Sequence, residues 1–268
     1  MSVLIDFHCH LLPGIDDGPT TEDDAVEMAV AMRKAGFTTV HCTPHLIKGT
    51  YDADNRAVKA SLASLQKRLN DENIDLNLLP GREYYLDEYL PDYLKDPLTL
   101  GETRFIMIEI PNHSPEEFVK ETCFNVRRGG FIPMIAHPER CDLFAKPSAS
   151  ESGSDSKLAK YFPFFFSSRF GARRSAQGAE PSALSPRSSS LSPRDTAHST
   201  QNSTLLSYLI DLGCAFQANL GSFTAWYGPQ VQQTANSLEK MEVYTHFGTD
   251  AHSIRGVKII SYSFQSQQ

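Results

Sequence analysis

His8 and His10 lie two residues apart, directly after the β-rich run 3–7. In extended chain, side chains two apart face the same way, so both imidazoles can reach one metal ion. Asp250 and His252 repeat that spacing after the run 243–249. His45 follows 38–43, Glu83 follows 75–80, Glu109 lies in 104–110, and His137 follows 131–136. Taken singly these are weak signals. Isolated Glu83 or Glu109 reads as a solvated charge, and His137 as a satisfied buried histidine. Jointly they place imidazole and carboxylate donors at the same end of six strands, a set suited to divalent metals. The competing account is a hydrogen-bonded polar core, but so many desolvated carboxylates without a cation would be costly. His41, His113, His198 and His246 sit outside this pattern and receive no role.

The elements that must position these groups alternate along the chain. A seventh β-rich run, 214–219, completes the set, and helical stripes lie between most of them. Ala25, Met28, Ala29 and Met32 repeat at i, i+3, i+4 and i+7, with Thr21 and Asp24 as the start signal and Gly36 as the stop. Val58, Leu62, Leu65 and Leu69 form a second stripe. Val119, Cys123 and Val126 form a third, and Val231, Ala235 and Leu238 a short fourth. Alternation of this kind predicts an α/β fold with a parallel sheet and right-handed crossovers. A closed barrel and an open doubly wound sheet both satisfy it. In a barrel, the C-terminal strand ends converge on one mouth.

Composition divides the chain of 268 residues. The stretch 148–203 holds 16 serines, with seven basic against four acidic residues, so the formal charge of −7 is nearer −10 outside it. Such sequence cannot bury enough apolar surface to offset ordering, and a disordered insertion is expected. The acidic balance argues against nucleic acid. No apolar run is long enough for a membrane span, and Met1–Asp6 lacks the features of a secretory signal. Five scattered cysteines, with no CxxC pair, point to a reducing compartment and a cytoplasmic protein. The stretch 258–268 reads as polar and aperiodic, with no helical stripe.

The run Ile5-Asp6-Phe7-His8-Cys9-His10-Leu11-Leu12-Pro13-Gly14-Ile15-Asp16-Asp17-Gly18-Pro19 resembles the opening motif of the PHP (polymerase and histidinol phosphatase) superfamily. More closely it is similar to the bacterial capsule and exopolysaccharide tyrosine phosphatases of the CpsB/YwqE type. Thr43-Pro44-His45, Gly81-Arg82-Glu83, Ile108-Glu109, Ala136-His137-Pro138-Glu139-Arg140, Gln217-Ala218-Asn219-Leu220-Gly221-Ser222 and Thr249-Asp250-Ala251-His252 follow in the family's order. The resemblance implies a distorted (β/α)7 TIM-like barrel, here a single domain over 1–268 interrupted by 148–203, and, set against the family's closing helix, a truncated C-terminus. It also implies up to three divalent ions, manganese first, with iron, cobalt or zinc as alternatives. The implied ligands are His8, His10, Asp17, His45, Glu83, Glu109, His137, Asp250 and His252. Asp17 comes from the resemblance alone; local pattern does not separate it from Asp16.

The expected reaction is metal-assisted phosphomonoester hydrolysis on a phosphotyrosine protein, by resemblance a polysaccharide-export tyrosine autokinase. Arg140 is the expected phosphate clamp, since guanidinium grips two oxygens; a surface ion pair with Glu139 is the plainer account. Arg255 is a second candidate. Cysteine-based chemistry is excluded: the residues six beyond Cys9, Cys42, Cys123, Cys141 and Cys214 are Ile15, Lys48, Gly129, Pro147 and Leu220, none of them Arg. Another PHP phosphoesterase, such as one acting on histidinol phosphate, would use the same cluster. A metal-dependent amidohydrolase or deoxyribonuclease-type barrel also opens with Asp-x-His-x-His. A catalytically impaired binding scaffold is the alternative from a different class.

Overall fold

The computed structural model describes residues 4–145 and 204–265. The Ser/Pro-rich insertion expected at 148–203 lies outside the described residues. The described strands are β1 (Leu4–Cys9), β2 (Phe37–Cys42), β3 (His45–Leu46), β4 (Asn77–Pro80), β5 (Glu83–Tyr85), β6 (Phe105–Glu109), β7 (Ile132–Ala136), β8 (Ala215–Asn219) and β9 (His246–Gly248). The helices are α1 (Glu22–Lys34), α2 (Asn55–Asp71), α3 (Leu90–Tyr93), α4 (Glu116–Arg128), α5 (Leu205–Asp211), α6 (Pro229–Lys240) and α7 (Ile254–Gln265). The signals read from sequence act as expected at α1: the Thr21 side chain accepts from the Asp24 N–H, and Gly36 takes φ +98° beyond the end.

Every strand ladder is parallel, in two sheets ordered β1-β2-β4 and β3-β5-β6-β7-β8-β9. The two sheets are parts of one curl. β2 pairs with β4 from Thr39–Asn77 to Cys42–Pro80, and β3 pairs with β5 at His45–Glu83 in the same register. Each pair of segments is therefore one strand path interrupted at residues 43–44 and 81–82. Pro44 has no N–H for a ladder. Gly81 leaves no room for a side chain, because a Cβ there would lie 2.7 Å from Leu100 Cδ2. At the other edge β9 runs into β1: the Asp250 N–H donates to the His8 carbonyl at 2.7 Å, and the His10 N–H to the Ala251 carbonyl at 3.1 Å. Gly248 permits that approach; a Cβ would meet His8 Cβ at 2.5 Å.

Strand alternation sorts the side chains into two apolar layers. Ile106, Ile108, Ile135, Phe216 and Ala218 join the helices in the larger core. Phe105, Met107, Ile132, Met134 and Ala215 form a smaller cluster on the opposite face. That inner face changes character along each strand. Phe105 and Met107 lead to Glu109, and Ala215 leads to Gln217 and Asn219, both buried. Apolar packing thus fills one end of the curl, and polar side chains gather at the C-terminal strand ends.

His41 and His246, which received no role from sequence, occupy the apolar end. The Phe7 ring stacks on His41 at 5.1 Å and meets His246 edge-on at 4.5 Å. Burial, with His246 as neighbour, lowers His41 to about 4, and burial lowers His246 to about 4. The folded state therefore prefers neutral rings. Their contribution is complete above the ordinary histidine value of about 6.5 and is lost as pH falls from there toward 4. We expect the melting temperature of the His41→Gln/His246→Gln double variant to fall less steeply between pH 7 and 4 than that of the wild type. Parallel slopes would show that these rings do not govern acid lability.

The expectation for 258–268 is corrected over most of its length, because α7 runs from Ile254 to Gln265. Val257 and Ile260 are buried, and the helix packs on α1. Ile254, Val257 and Ile260 form an i, i+3, i+6 stripe that is invisible when reading begins at Lys258. Among the described residues no helix is long and apolar enough to cross a membrane.

Candidate metal centre

All nine side chains expected as ligands meet at the polar end of the curl. Glu83, at the start of β5, is the hub. Its Oε2 lies 3.1 Å from His8 Nε2, 3.3 Å from His10 Nε2 and 3.1 Å from His45 Nδ1, while Oε1 lies 2.9 Å from His137 Nε2. Asp250 Oδ1 lies 3.3 Å from both His8 Nε2 and His10 Nε2. Outward from these, Asp17 Oδ1 is 3.4 Å from His252 Nε2, and Glu109 Oε2 is 3.8 Å from His45 Nδ1. Three groups have ligand atoms close enough to hold an ion: His8, His10, Glu83 and Asp250; His10, Asp17, His45 and His252; His45, Glu83 and Glu109.

Local structure explains why the rings converge. A register shift between Asp6 and Cys9 in β1 interrupts its pairing with β2, and both His8 and His10 are fully buried. Asp6 fixes that segment to β9, accepting from the His8 N–H, the Thr249 N–H and the Thr249 hydroxyl. His137 and Asp250 both adopt left-handed backbone, φ +30° and +50°, a conformation costly for non-glycine residues and held here by the surrounding structure.

Outer partners set the tautomers. Gln217 Oε1 accepts the His137 N–H at 3.3 Å, so it is an oxygen, and it faces His8 Nδ1 at 2.8 Å. Asp16 Oδ2 faces His10 Nδ1 at 2.6 Å. Each Nδ1 therefore carries the hydrogen. In the neutral rings, both Nε2 lone pairs, 3.1 Å apart, point at each other and at two carboxylates. Only a cation satisfies that arrangement. Without a metal the cation is a proton: burial opposes the His8 imidazolium, but Glu83 and Asp250 outweigh it and raise it to about 9. Glu83 Oε2 and His45 Nδ1 remain buried with no hydrogen-bond partner. Burial above all, and then the neighbouring Glu83 and Asp250, pushes Glu109 up to about 8. The donor set thus fits divalent metal ions.

Arg140 follows His137 in a 3-10 turn, Pro138–Arg140. Its guanidinium bonds Asp250 Oδ2 and lies 4.6 Å over the Tyr227 ring. The ion pair with Glu139 does not form. Glu139 is buried and accepts from the Asn219 N–H and the Tyr244 hydroxyl. Arg255 is exposed, over the Trp226 ring at 5.5 Å. Tyr51, in a tight turn after β3, stacks on His45 at 5.7 Å. Sequence reasoning assigned no role to Asp16, Gln217 or Asp6. The available signal was a polar residue at an inward strand position, as with Gln217 between Ala215 and Asn219.

A family model described as "Capsular polysaccharide synthesis, CpsB/CapC" matches residues 4–151, and the chain belongs to that family. It is 27% identical over 254 residues to "Tyrosine-protein phosphatase YwqE" of Bacillus subtilis (strain 168), covering 94% of this chain and 78% of that protein. It is 30% identical over 139 residues to "Putative tyrosine-protein phosphatase CapC" of Staphylococcus aureus, covering 51% of this chain and 54% of that one. The match to CapC therefore spans about half of each chain. The fold is similar to a solved structure from work on YwqE of Bacillus subtilis and CpsB of Streptococcus pneumoniae, described as unique metal-dependent tyrosine phosphatases. The TM-score is 0.68 at 25% identity, covering 99% of this chain and 87% of that one.

Proposed function

We propose that this member of the CpsB/CapC family is a metal-dependent protein-tyrosine phosphatase. The observation that carries the reading is the convergence of imidazoles and carboxylates on Glu83 Oε2. We propose His8, His10, Asp17, His45, Glu83, Glu109, His137, Asp250 and His252 as ligands of up to three ions, manganese first. Bound divalent ions lower the pKa of water and neutralise phosphoryl charge. The chain's own groups do the rest. Asp16 and Gln217 hold the His10 and His8 rings in the ligating tautomer. Arg140, over Tyr227 and tied to Asp250, is placed to offer its remaining N–H groups to phosphoryl oxygens. Arg255, on the first turn of α7, is the outer cation. Tyr51 and Tyr227 present aromatic surface beside the cluster, which favours an aryl ester over an alkyl one.

In this reading the strand paths close as a distorted (β/α)7 barrel, one domain interrupted by 148–203. The bonds from β9 to β1 support that closure. The five cysteines are free and buried, in keeping with a cytoplasmic enzyme. The proposed substrate is the phosphotyrosine of a polysaccharide-export tyrosine autokinase. Turnover of a phosphotyrosine peptide beside histidinol phosphate tests the substrate class. Preference for the peptide is expected; preference for histidinol phosphate would overturn the tyrosine reading.

Gln217→Leu is expected to weaken metal binding by about 10- to 100-fold, the usual cost of losing the group that orients a ligand histidine, while the chain stays folded. A competitive metal titration measures it. Unchanged affinity would show that His8 needs no outer partner.

A further inference from the structure

Arg140 is held by parts of the chain far apart in sequence, and one buried side chain touches all of them. Asn219, the last residue of β8, is fully buried. Its Oδ1 accepts the Gly221 N–H at 2.8 Å, capping the 3-10 turn Leu220–Thr224, so the other branch is the NH2 group. That Nδ2 donates to Asp250 Oδ2 at 3.0 Å and to the Tyr227 hydroxyl at 3.1 Å. The Asn219 N–H goes to Glu139 Oε1 at 2.9 Å, next to Arg140 in its turn. Asn219 thus bonds the residue before the guanidinium, its carboxylate partner and the ring it lies over.

The surroundings are built for this contact. Gly221 lets the two side chains close, since a Cβ there would lie 3.2 Å from both Asn219 Oδ1 and Tyr227 Cε2. Tyr227 stands in a tight turn: Ala225 and Gly228 take φ +58° and +94°, and the Gly228 N–H donates to the Ala225 carbonyl at 2.9 Å. The plainer account of Asn219 is the cap alone. Serine or aspartate caps as well. Serine, however, has no second donor branch, and aspartate would set a carboxylate against Asp250 Oδ2. The NH2 group is what asparagine adds.

We propose that Asn219 is a positioning residue for the phosphate clamp: through Asp250 and Tyr227 it sets the Arg140 guanidinium to take phosphoryl oxygens beside the metal centre. The proposal rests on the phosphatase reading above. Asp250 Oδ1 faces His8 and His10, whereas Oδ2 is shared by Arg140 and Asn219. A carboxylate oxygen accepts more than one hydrogen bond. With Nδ2 gone, Oδ2 would draw a second guanidinium N–H, and that N–H would no longer be offered to substrate. The Tyr227 ring would lose the bond that fixes its hydroxyl end.

The test is a double-mutant cycle on the full, manganese-loaded chain, using Asn219→Ser, Arg140→Ala and the double variant, with metal per chain counted for each. Binding of inorganic phosphate is read by calorimetry, and kcat/KM on a phosphotyrosine peptide beside it. Serine keeps the cap and removes the NH2 group. Asn219→Ser is expected to weaken phosphate binding and lower kcat/KM by about tenfold, the scale of one hydrogen bond to a charged group, with metal content unchanged. On the Arg140→Ala background the same substitution should cost less than about twofold, since the effect runs through Arg140. Tyr227→Phe keeps the ring and removes the hydroxyl; it should show the same dependence with a smaller fall of about threefold. Unchanged phosphate affinity in Asn219→Ser, an equal fall on both backgrounds, or loss of metal in Asn219→Ser would overturn the proposal. If Asn219→Ser does not fold, Tyr227→Phe carries the cycle on the same criteria. The two readings fail separately: no turnover by the wild type sinks the phosphatase reading, while the coupling of Asn219 to Arg140 stands or falls on phosphate binding.

Discussion

Glu83→Gln is expected to abolish metal-dependent turnover while the chain remains folded. Glutamine has the same shape as glutamate, so the buried position is filled without a cavity. The chemistry is reversed, however. Glu83 Oε2 faces nitrogens of three imidazoles, and Oε1 faces a fourth. A neutral amide supplies one oxygen and one NH2 group, so part of this ring of acceptors would meet donors instead of a shared anion. The site would also lose the charge that draws cations into a buried position. Metal content, circular dichroism and hydrolysis of a phosphotyrosine peptide check this together. A folded variant with depleted metal and background turnover is the expected result. Wild-type metal content with full activity would remove Glu83 from the centre.

Arg140→Ala is expected to separate binding of metal from use of substrate. Arg140 bonds Asp250 Oδ2, whereas the edge of Asp250 facing His8 and His10 is Oδ1. Removing the guanidinium therefore leaves the metal-facing oxygen in place and frees one negative charge, so metal content should persist. What is lost is the planar donor held over Tyr227. We expect kcat/KM to fall by about 10²- to 10³-fold, the scale of removing one positioned donor to a developing oxyanion. Inhibition by inorganic phosphate should weaken in parallel. Arg140→Lys should restore little, since an ammonium offers a point charge rather than a fork. Loss of metal in Arg140→Ala, or undiminished turnover, would contradict this assignment.

Much of this site was legible in the amino-acid order. His-x-His after an apolar run, Asp-x-His after another, and single carboxylates at strand ends all depend on periodicity, which survives folding unchanged. The seven predicted strands match seven strand paths among the described residues, because each path is a short, largely apolar run. What stayed hidden depends on the partner strand. The continuations β3 and β5 are too brief to show a period, and they appear only through the shared register of His45 with Glu83. Asp16 and Asp17 are adjacent carboxylates, and only the fold sends one to His10 Nδ1 and the other toward His252. Gly18 lets that loop cross, since a Cβ would lie 2.3 Å from the His10 carbonyl oxygen. Arg140 stood beside Glu139 in sequence, yet a single turn carries their side chains to different partners.

The central claim is that clustered divalent metal on these nine side chains drives phosphotyrosine hydrolysis. Turnover of a phosphotyrosine peptide by the same purified sample, before chelation, after chelation and after return of manganese, tests it most directly when metal per chain is counted at each stage. The account predicts more than one ion per chain in the active sample, loss of turnover with loss of metal, and recovery of both together. Undiminished turnover in a folded, metal-free sample would contradict it.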